Sequence, residues 1–600
     1  MIRQEIIRLI QNSIQGLQKE KRLLKFETPE ILVERPEEKM HGDYAVGIAL
    51  QIAKDVKMNP IKVAEMIKLE AERVCQRTKL NIFEKIEAAQ PGFINFFLTK
   101  EYLIQQLHKA LQEKERYGSS EKGKNKIVVI DYSSPNIAKL FGVGHLRSTI
   151  IGQALYNIYK FLGWKVIGDN HLGDWGTQFG KLIYQIKDKG LKGRSQKEKT
   201  IFFKDLTIEA LERLYVDFHK ESQINPKLEE KARNWFKKLE QGDKETKEIW
   251  QVCCNISLKE FDKIYALLGI KIDYCLGESF YQDKMKPIIE DAAKKGISRK
   301  SQGALVIPLP GSKIPFMLLK SDGATTYGTR DLAAIKYRMK KWKPNLIIYE
   351  VGADQKTYFE QLFKTAEILN YGKKEQFIHI AHGLTRRKHG KFSTRKGQTI
   401  HLEGVIKEAI EKAGQIIERS ETSRGLSKQE KKKVAMAVGI GAIKYNDLSQ
   451  HYSRDIIFDW NKILNLKGNS APYIQYTFAR CRSVLKKTKA EGDETLLYLA
   501  NLVIKKKSDR DFNREESELL RMICKFPEII EEAAVKFSPN LICNFAFDLA
   551  KEYNLFYNLH QIIKAETKEK RIFRLALTCA VAQTLKNALS LLGIFAPEKM

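Results

Sequence analysis

Apolar positions recur at helical spacing from the start of the chain. Ile6, Ile7, Leu9 and Ile10 open one face, and AVGIALQIAKDVKMNPIKVAEMIKLEAERV continues the same period. GFINFFLT at Gly92–Thr99 breaks it: aromatics and isoleucines with little helical pattern predict a strand. Residues 1 to about 115 therefore read as a small α/β domain, and the polar, Gly/Ser-rich stretch Lys114–Lys126 as a linker. KIVVIDYSS then predicts a buried strand and a turn. GHLRSTIIGQALYNIYKFLGW predicts a helix with Ile150, Leu155 and Ile158 inward, and KVIGDNHLGDWG a second strand with a polar end. Strand, helix and strand form a βαβ unit, whose ligands sit beyond the C-terminal strand ends. Residues of about 185–320 read as an insertion of charged helices closing on a hairpin, GALVIPLPGSKIPFMLLK. NLIIYEVGADQ and FIHIAHG return to the strand pattern, and from Leu402 onward the chain is nearly all helical period, broken near Ser423–Ser427, Lys467–Pro472 and Gly492–Thr495.

Two strings carry the chemistry, SSPNIAKLFGVGHLRST at Ser133–Thr149 and KFSTRKG at Lys391–Gly397. In the first, Gly142 and Gly144 permit close backbone approach to a ligand. His145 falls where a helix begins, and a neutral imidazole there can donate one hydrogen bond to a phosphoryl oxygen. In the second, Lys391, Arg395 and Lys396 share a stretch with Arg386, Arg387 and Lys388 and no acid, a cluster that repels itself unless an anion neutralises it. Ser393, Thr394 and Gly397 suit a loop that closes on phosphates. Together these strings point to nucleotidyl transfer. Asp131, Asp169, Asp174, Asp331 and Asp354 lie near the strand ends. A planar carboxylate there would hold a guanidinium best. Asp331 follows Tyr327 at i+4 and shares its face, while Asp131 and Asn136 bracket the turn. Helix capping by Asp331 and turn formation by Asn136 are equally compatible with the spacing.

The 104 Lys and Arg against 73 Asp and Glu give a formal charge of +31, which favours a polyanionic partner such as nucleic acid. In the C-terminal helices, Tyr473, Tyr476 and Arg480, then Tyr553 and Tyr557, stand at helical spacing. They could stack on unpaired bases or line a core. Eight scattered cysteines without CxxC spacing argue against a zinc site and fit a reducing compartment. The acid-bearing amphipathic N-terminus is unlike a signal peptide, and no run of 18 apolar residues occurs, so a cytoplasmic location and no membrane partner are expected.

The strings SSPNIAKLF, GHLRST, DNHLGDWGTQFG, GESFY, SDGATTYGTRDLAA, SAPYIQYTFAR and LGIFAPEKM, in this order, resemble those of class I arginyl-tRNA synthetases over essentially the whole chain. The resemblance implies an α/β fold: a Rossmann-like catalytic domain over residues 126–405 with the insertion at about 185–320, an α/β N-terminal module over 1–118, a helical stem over 406–460 and an α-helical anticodon-binding bundle over 461–600. It implies activation of L-arginine by ATP with release of pyrophosphate, then transfer to the 3′-terminal adenosine of tRNA(Arg), with bound tRNA needed for the first step. It implies ATP with Mg2+, no structural metal, and a monomer. Asn136, Tyr327, Asp331 and Gln355 would hold arginine, Asp331 pairing with its guanidinium, with Ser133 beside them and Asp131 near the α-amino group. Gly142, Gly144 and His145 would contact ATP, and Lys391, aided by Ser393 and Lys396, its phosphates. Gln90, Phe93 and Asn95 would face the tRNA elbow and D-loop; Tyr473, Tyr476, Arg480, Tyr553 and Tyr557 would face the anticodon. Asp131 stands where a glutamate is known in the family, and three signature positions also differ, the one at Thr394 in a way common in this family. Gly142 replaces the first signature histidine, Thr394 the second signature lysine, and Tyr358 a histidine common after Gln355.

Overall fold

The computed structural model describes residues 2–386, 401–419, 425–488 and 512–600. They form two compact units: Met1–Tyr117 with Val484–Glu528 and Glu552–Thr584, and Gly118–Ser483 with Ile529–Lys551 and Leu585–Met600.

In the first unit, helices α1 (Ile2–Lys19), α2 (Ile48–Ile52) and α3 (Pro60–Thr78) cover an antiparallel sheet of β1 (Val33–Glu34), β2 (Tyr44–Val46), β3 (Phe83–Ala89) and β4 (Phe93–Leu98) in the order β1-β2-β4-β3, and α4 (Lys100–Glu113) follows. The long apolar period of residues 45–74 splits at Asn59-Pro60, where the Asn59 side chain accepts from Ile61 N and proline opens α3. On β4, Ile94, Phe96 and Leu98 alternate into the core. Glu528, within the same unit, gathers Arg3 at 3.2 Å, Arg35 at 2.5 Å and the Tyr44 hydroxyl at 3.0 Å. The expected linker is ordered: Lys114–Arg116 makes a 3-10 turn, and buried Tyr117 donates to Ile523 O at 2.8 Å. In the second unit, Gly123 is pressed onto Trp164, so closely that a Cβ would sit 2.1 Å from the indole Cδ1. The stretch is polar because it is a run of turns, not because it is free.

The second unit is built on a parallel sheet of β5 (Ile127–Asp131), β6 (Lys165–Asp169), β10 (Leu346–Gly352) and β11 (Phe377–His382) in the order β11-β10-β5-β6. Continuous apolar runs suit strands covered on both faces. Helix α5 (Val143–Phe161) crosses from β5 to β6, and α13 (Lys356–Ile368) from β10 to β11. The two crossovers leave in opposite directions, so the topological switch lies between the C-terminal ends of β5 and β10.

Between the halves come α6 (Thr177–Gln185), α7 (Gln196–Asp205), α8 (Ile208–Ile224), α9 (Lys227–Glu240), α10 (Lys244–Leu268) and α11 (Lys286–Lys294). They are followed by an antiparallel sheet of β7 (Arg299–Ser301), β8 (Ala304–Ile307) and β9 (Phe316–Leu319), the expected hairpin plus one exposed strand, and then by α12 (Tyr327–Trp342). Short β12 (Thr385–Arg386) pairs with β13 (Ile456–Ile457). The C-terminal part is helical as expected: α14 (Leu402–Arg419) packs on α15 (Lys428–Leu448), and α16 (Trp460–Ile463), α17 (Ala471–Lys487), α18 (Arg514–Val535), α19 (Asn540–Leu559) and α20 (Lys568–Leu591) complete the chain. Among the described residues no helix is long and apolar enough to cross a membrane.

Candidate active site

Register puts Asp131 at the end of β5, level with Asp169 on β6 and Tyr349 on β10. The loop that follows carries positive φ at Ser133 (76°), Ser134 (44°) and Ala138 (61°), a conformation L-residues keep only when their surroundings enforce it. The enforcement is dense. Ser133 N donates to Ser148 Oγ at 2.9 Å, and Ser133 Oγ lies 2.8 Å from the Tyr265 hydroxyl. Ser134 N donates to Asn170 Oδ1 at 3.0 Å, and Ala138 N to Ser257 Oγ at 2.9 Å. Asn136 bridges to Gly173, where a Cβ would come within 2.2 Å of Asn136 Oδ1, so glycine is required for the amide to lie across that turn.

Beneath the loop a cation is already in place. Arg338, on α12 and fully buried, donates through Nη2 to Asp131 Oδ2 at 2.7 Å and through Nε to Asp169 Oδ2 at 2.9 Å. Ser134 Oγ donates to the other oxygen of Asp131 at 3.2 Å. Asp131 is 4% exposed and Ser133 3%. Both were expected beside arginine; in the structure Asp131 pairs with the buried guanidinium, which needs a carboxylate partner, and Ser133 is held by Ser148 and Tyr265.

Asp331 is different. It projects from the first turns of α12 with its side chain 25% exposed, and among the described residues no Lys or Arg forms an ion pair with it. The Tyr358 hydroxyl, from the start of α13, donates to Oδ2. His171 Nε2, from the loop after β6, stands 3.7 Å from Oδ1, and its Nδ1 lies 3.0 Å from Leu276 O. Arg330, next in sequence, is turned to Glu278 at 3.1 Å. Burial pushes the Asp331 carboxyl above its ordinary range, partly offset by His171, Tyr358 and Arg330. Among the described residues Asp331 is thus an acid without a Lys or Arg partner. Around it stand Tyr327, 65% exposed with its ring 4.9 Å from that of Tyr358, and Gln355, exposed at the N-cap of α13. Tyr358 thus links Tyr327 and Asp331, Gln355 caps the helix that carries Tyr358, and Asn136 lies on the loop after β5.

At the start of α5, Gly142 is the N-cap, and its N–H donates to His145 Nδ1 at 3.3 Å. With Nδ1 accepting, the proton of the neutral ring resides on Nε2. Burial, aided by Lys139, pushes the His145 pKa down to about 4, so the ring is neutral near pH 7 and presents one N–H. Gly144 leaves open space beside it, with nothing within 4 Å of a Cβ placed there. Lys391, Ser393 and Lys396 lie outside the described residues, but both flanks of that segment are anchored. Arg386 Nε donates to Asp455 at 2.6 Å, and His401 forms a β-bridge to Gly142.

The RNA-facing candidates divide. Gln90 is exposed and Phe93 half-buried, whereas Asn95, on the same strand face as Phe93 and paired between Ala45 and Glu87, is 3% exposed. Tyr473, Tyr476 and Arg480 are half-buried along α17, with the Arg480 guanidinium 5.0 Å from the centre of the Tyr476 ring. In the first unit, Tyr557 is 39% exposed, but Tyr553 is fully buried with its hydroxyl 3.5 Å from Thr578 Oγ1. Tyr553 is a core residue here, correcting the expectation that it faces RNA. Reading by residue missed Arg338, His171 and Tyr265; only His171 carried a signal, its place in DNHLGDWG beyond a strand end.

Comparison with known proteins agrees over the full length. The family model for the class I (R) tRNA synthetase catalytic domain matches residues 106–460, the DALR anticodon binding domain residues 474–600, and the arginyl tRNA synthetase N-terminal domain residues 4–98. An arginine–tRNA ligase of Clostridium botulinum is 40% identical over 585 residues, covering 97% of this chain and 98% of that one. One from Halothermothrix orenii is 39% identical over 581 residues, covering 96% and 97%. The crystal structure of arginyl-tRNA synthetase from Plasmodium falciparum superposes with a TM-score of 0.83 at 28% identity, covering 100% of this chain and 99% of the other. That of Thermus thermophilus, at 23% identity, shares the fold with a TM-score of 0.80 and full coverage of both chains. ATP-dependent activation of arginine and its transfer to tRNA(Arg) is the activity that goes with this fold and these domains. A mixed α/β catalytic core ending in an open carboxylate, an N-terminal module and a helical anticodon-binding region place the chain in the class I arginyl-tRNA synthetases.

Proposed function

We propose that Asp331 receives the guanidinium of L-arginine, and that Tyr327, Gln355 and Asn136 surround the rest of the amino acid. The observation that carries this reading is the contrast between two sites. Asp131 and Asp169 already share Arg338 as their cation, whereas Asp331, 25% exposed, is held by Tyr358 and His171 with no Lys or Arg paired to it among the described residues. A guanidinium arriving there gains a charge-assisted, planar pair and offsets the burial that raises the carboxyl pKa.

ATP enters with Mg2+ on its phosphates, near the start of α5. His145, neutral and carrying its proton on Nε2, donates to a non-bridging oxygen of the α-phosphate. That contact strengthens as the arginine carboxylate attacks phosphorus and pyrophosphate leaves. Lys391, with Ser393 and Lys396, stabilises the departing charge. Gly142 contributes backbone only, so one donor of the usual pair is missing from this chain. Bound tRNA(Arg) is required for activation; the N-terminal module meets it through Gln90 and Phe93, and the C-terminal helices through Tyr473, Tyr476, Arg480 and Tyr557. The protein works as a monomer in the cytoplasm.

Arginine-dependent ATP–pyrophosphate exchange, with and without tRNA(Arg), tests this. Exchange that appears with arginine and tRNA together supports it. Tight tRNA binding with no exchange in either mixture would instead mark an RNA-binding homologue and overturn it.

A further inference from the structure

Resting on the reading of Asp331 as the guanidinium site, we propose that Tyr358 is the positioning residue that sets this carboxylate for arginine: its hydroxyl fixes the plane of Asp331 while leaving a lone pair free on each oxygen. An ionised carboxylate only accepts, so the phenol is the donor in their hydrogen bond. Burial and the neighbouring Asp331 both push the Tyr358 hydroxyl well above its ordinary pKa, so it keeps its proton.

The donor is held stiffly. The Tyr358 ring lies 22° from parallel with Phe316 at 6.4 Å, 4.9 Å from the Tyr327 ring and 5.4 Å from that of Phe359. Phe316 is itself pressed on the first turn of α12, where a Cβ at Gly328 would stand 2.6 Å from its Cζ. Asp331 sits one turn further along that helix, so donor and acceptor are fixed to packed elements, α12 and α13, rather than to loops.

The geometry also explains why a phenol serves here. One hydrogen bond to Oδ2 uses one of its lone pairs. Oδ1, with His171 Nε2 beyond hydrogen-bond range at 3.7 Å, and the remaining pair on Oδ2 are left as the two acceptors that a bidentate guanidinium requires. A neutral donor orients the acid without cancelling its charge. A permanent cation at position 358 would take the place of the substrate, as Arg338 does at Asp131. Tyr358 is thus a specificity element that acts through Asp331 and does not touch the reacting atoms.

The test is steady-state exchange with saturating tRNA(Arg) and ATP on Tyr358→Phe, Tyr358→His, Asp331→Asn and the Asp331→Asn/Tyr358→Phe double variant, with thermal midpoints alongside. Tyr358→Phe keeps the packing and removes only the donor. It should raise KM for arginine by about tenfold to a hundredfold, with kcat within about threefold and the midpoint unchanged. Tyr358→His, which restores an N–H, should recover most of the loss. In the Asp331→Asn background the Phe substitution should add less than about twofold, because its effect runs through the missing carboxylate. Two results overturn the proposal while leaving the substrate site standing: a severe Asp331→Asn defect with Tyr358→Phe like wild type, or the same Phe penalty with and without Asp331. An Asp331→Asn enzyme with unchanged KM would remove the substrate assignment and this proposal with it.

Discussion

Replacing Asp331 by Asn keeps the size of the side chain and one acceptor oxygen, and removes the charge. Two unit charges about 4 Å apart attract by about 4 kcal/mol at the effective dielectric of a site near the protein surface. Measured truncations of one partner in a close charge pair fall at about 2–5 kcal/mol. Three features of this site push the value toward the lower end. The side chain is 25% exposed, so water screens it; burial already raises its pKa, so ionising it costs part of the gain; and Asn can still accept one hydrogen bond from the guanidinium. A loss of about 2–3 kcal/mol corresponds to a 30- to 150-fold rise in KM for arginine. The assay is ATP–pyrophosphate exchange at saturating tRNA(Arg) across a range of arginine, with thermal unfolding as a control. Removing the charge should not destabilise the fold, since no Lys or Arg among the described residues pairs with Asp331. A KM within about threefold of the wild type, in a folded protein, would refute the reasoning.

The raised pKa of Asp331 gives a pH dependence of definite sign. Arginine binds the ionised acid, so KM for arginine should climb on acidification, beginning above the ordinary carboxylate value of about 4; a KM flat down to that value would contradict the site. His145→Ala should lower kcat by about a hundredfold to a thousandfold through loss of the phosphoryl donor, with little change in KM for arginine; an equal rise in KM would make it a ground-state contact. Lys391→Ala should slow adenylate formation and spare tRNA binding, checked by single-turnover rates beside filter binding; a parallel loss of tRNA affinity would make it an RNA anchor. Arg147→Met leaves Asp447, whose pKa burial already pushes up to about 6, in the core without its cation, and should destabilise the protein by about 3–5 kcal/mol in chemical unfolding; a change under about 1 kcal/mol would show the pair to be dispensable.

What the sequence showed, and what it hid, follows from length scale. The strand Ile127–Asp131 and the helix after it were legible because their apolar runs are long enough to show a period. Strands β1 and β2, of two and three residues, are too short to carry one, and exposed Arg299–Ser301 has no apolar member. The shared helix of Tyr327 and Asp331 was legible because the two stand one helical turn apart. The burial of Asp131 was not, since its partner Arg338 comes 207 residues later and only the fold brings the two together. Tyr553 and Tyr557 looked alike in the sequence, four residues apart on one stripe. Packing separates them, with one in the core and the other at 39% exposure.

The distance between the two signature strings poses the remaining physical question: what holds the described flanks of the second string, at Arg386 and His401, beside a helix start hundreds of residues earlier? Arg147 supplies one side of the answer. It lies on α5 two residues after His145, and it is buried at 1% exposure. Its Nε donates to Asp447 of α15 at 3.1 Å, and its Nη1 and Nη2 to the carbonyls of Arg454 at 2.6 Å and Tyr452 at 3.0 Å. Those carbonyls begin the segment on which the second string's approach is built. Gly383 N donates to Tyr452 O at 2.9 Å, Leu384 N to Asp455 Oδ1 at 2.7 Å, and β12 pairs with β13. On the far flank, Leu402 N donates to Phe141 O at 2.9 Å and His401 bridges Gly142. Both flanks of residues 387–400 are therefore tied to the signature helix, one through a buried guanidinium and one through its N-cap. Since α15 contributes Asp447 to the same junction, Arg147 joins the signature helix, α15 and the Tyr452–Asp455 segment that holds the described flank at Gly383–Arg386.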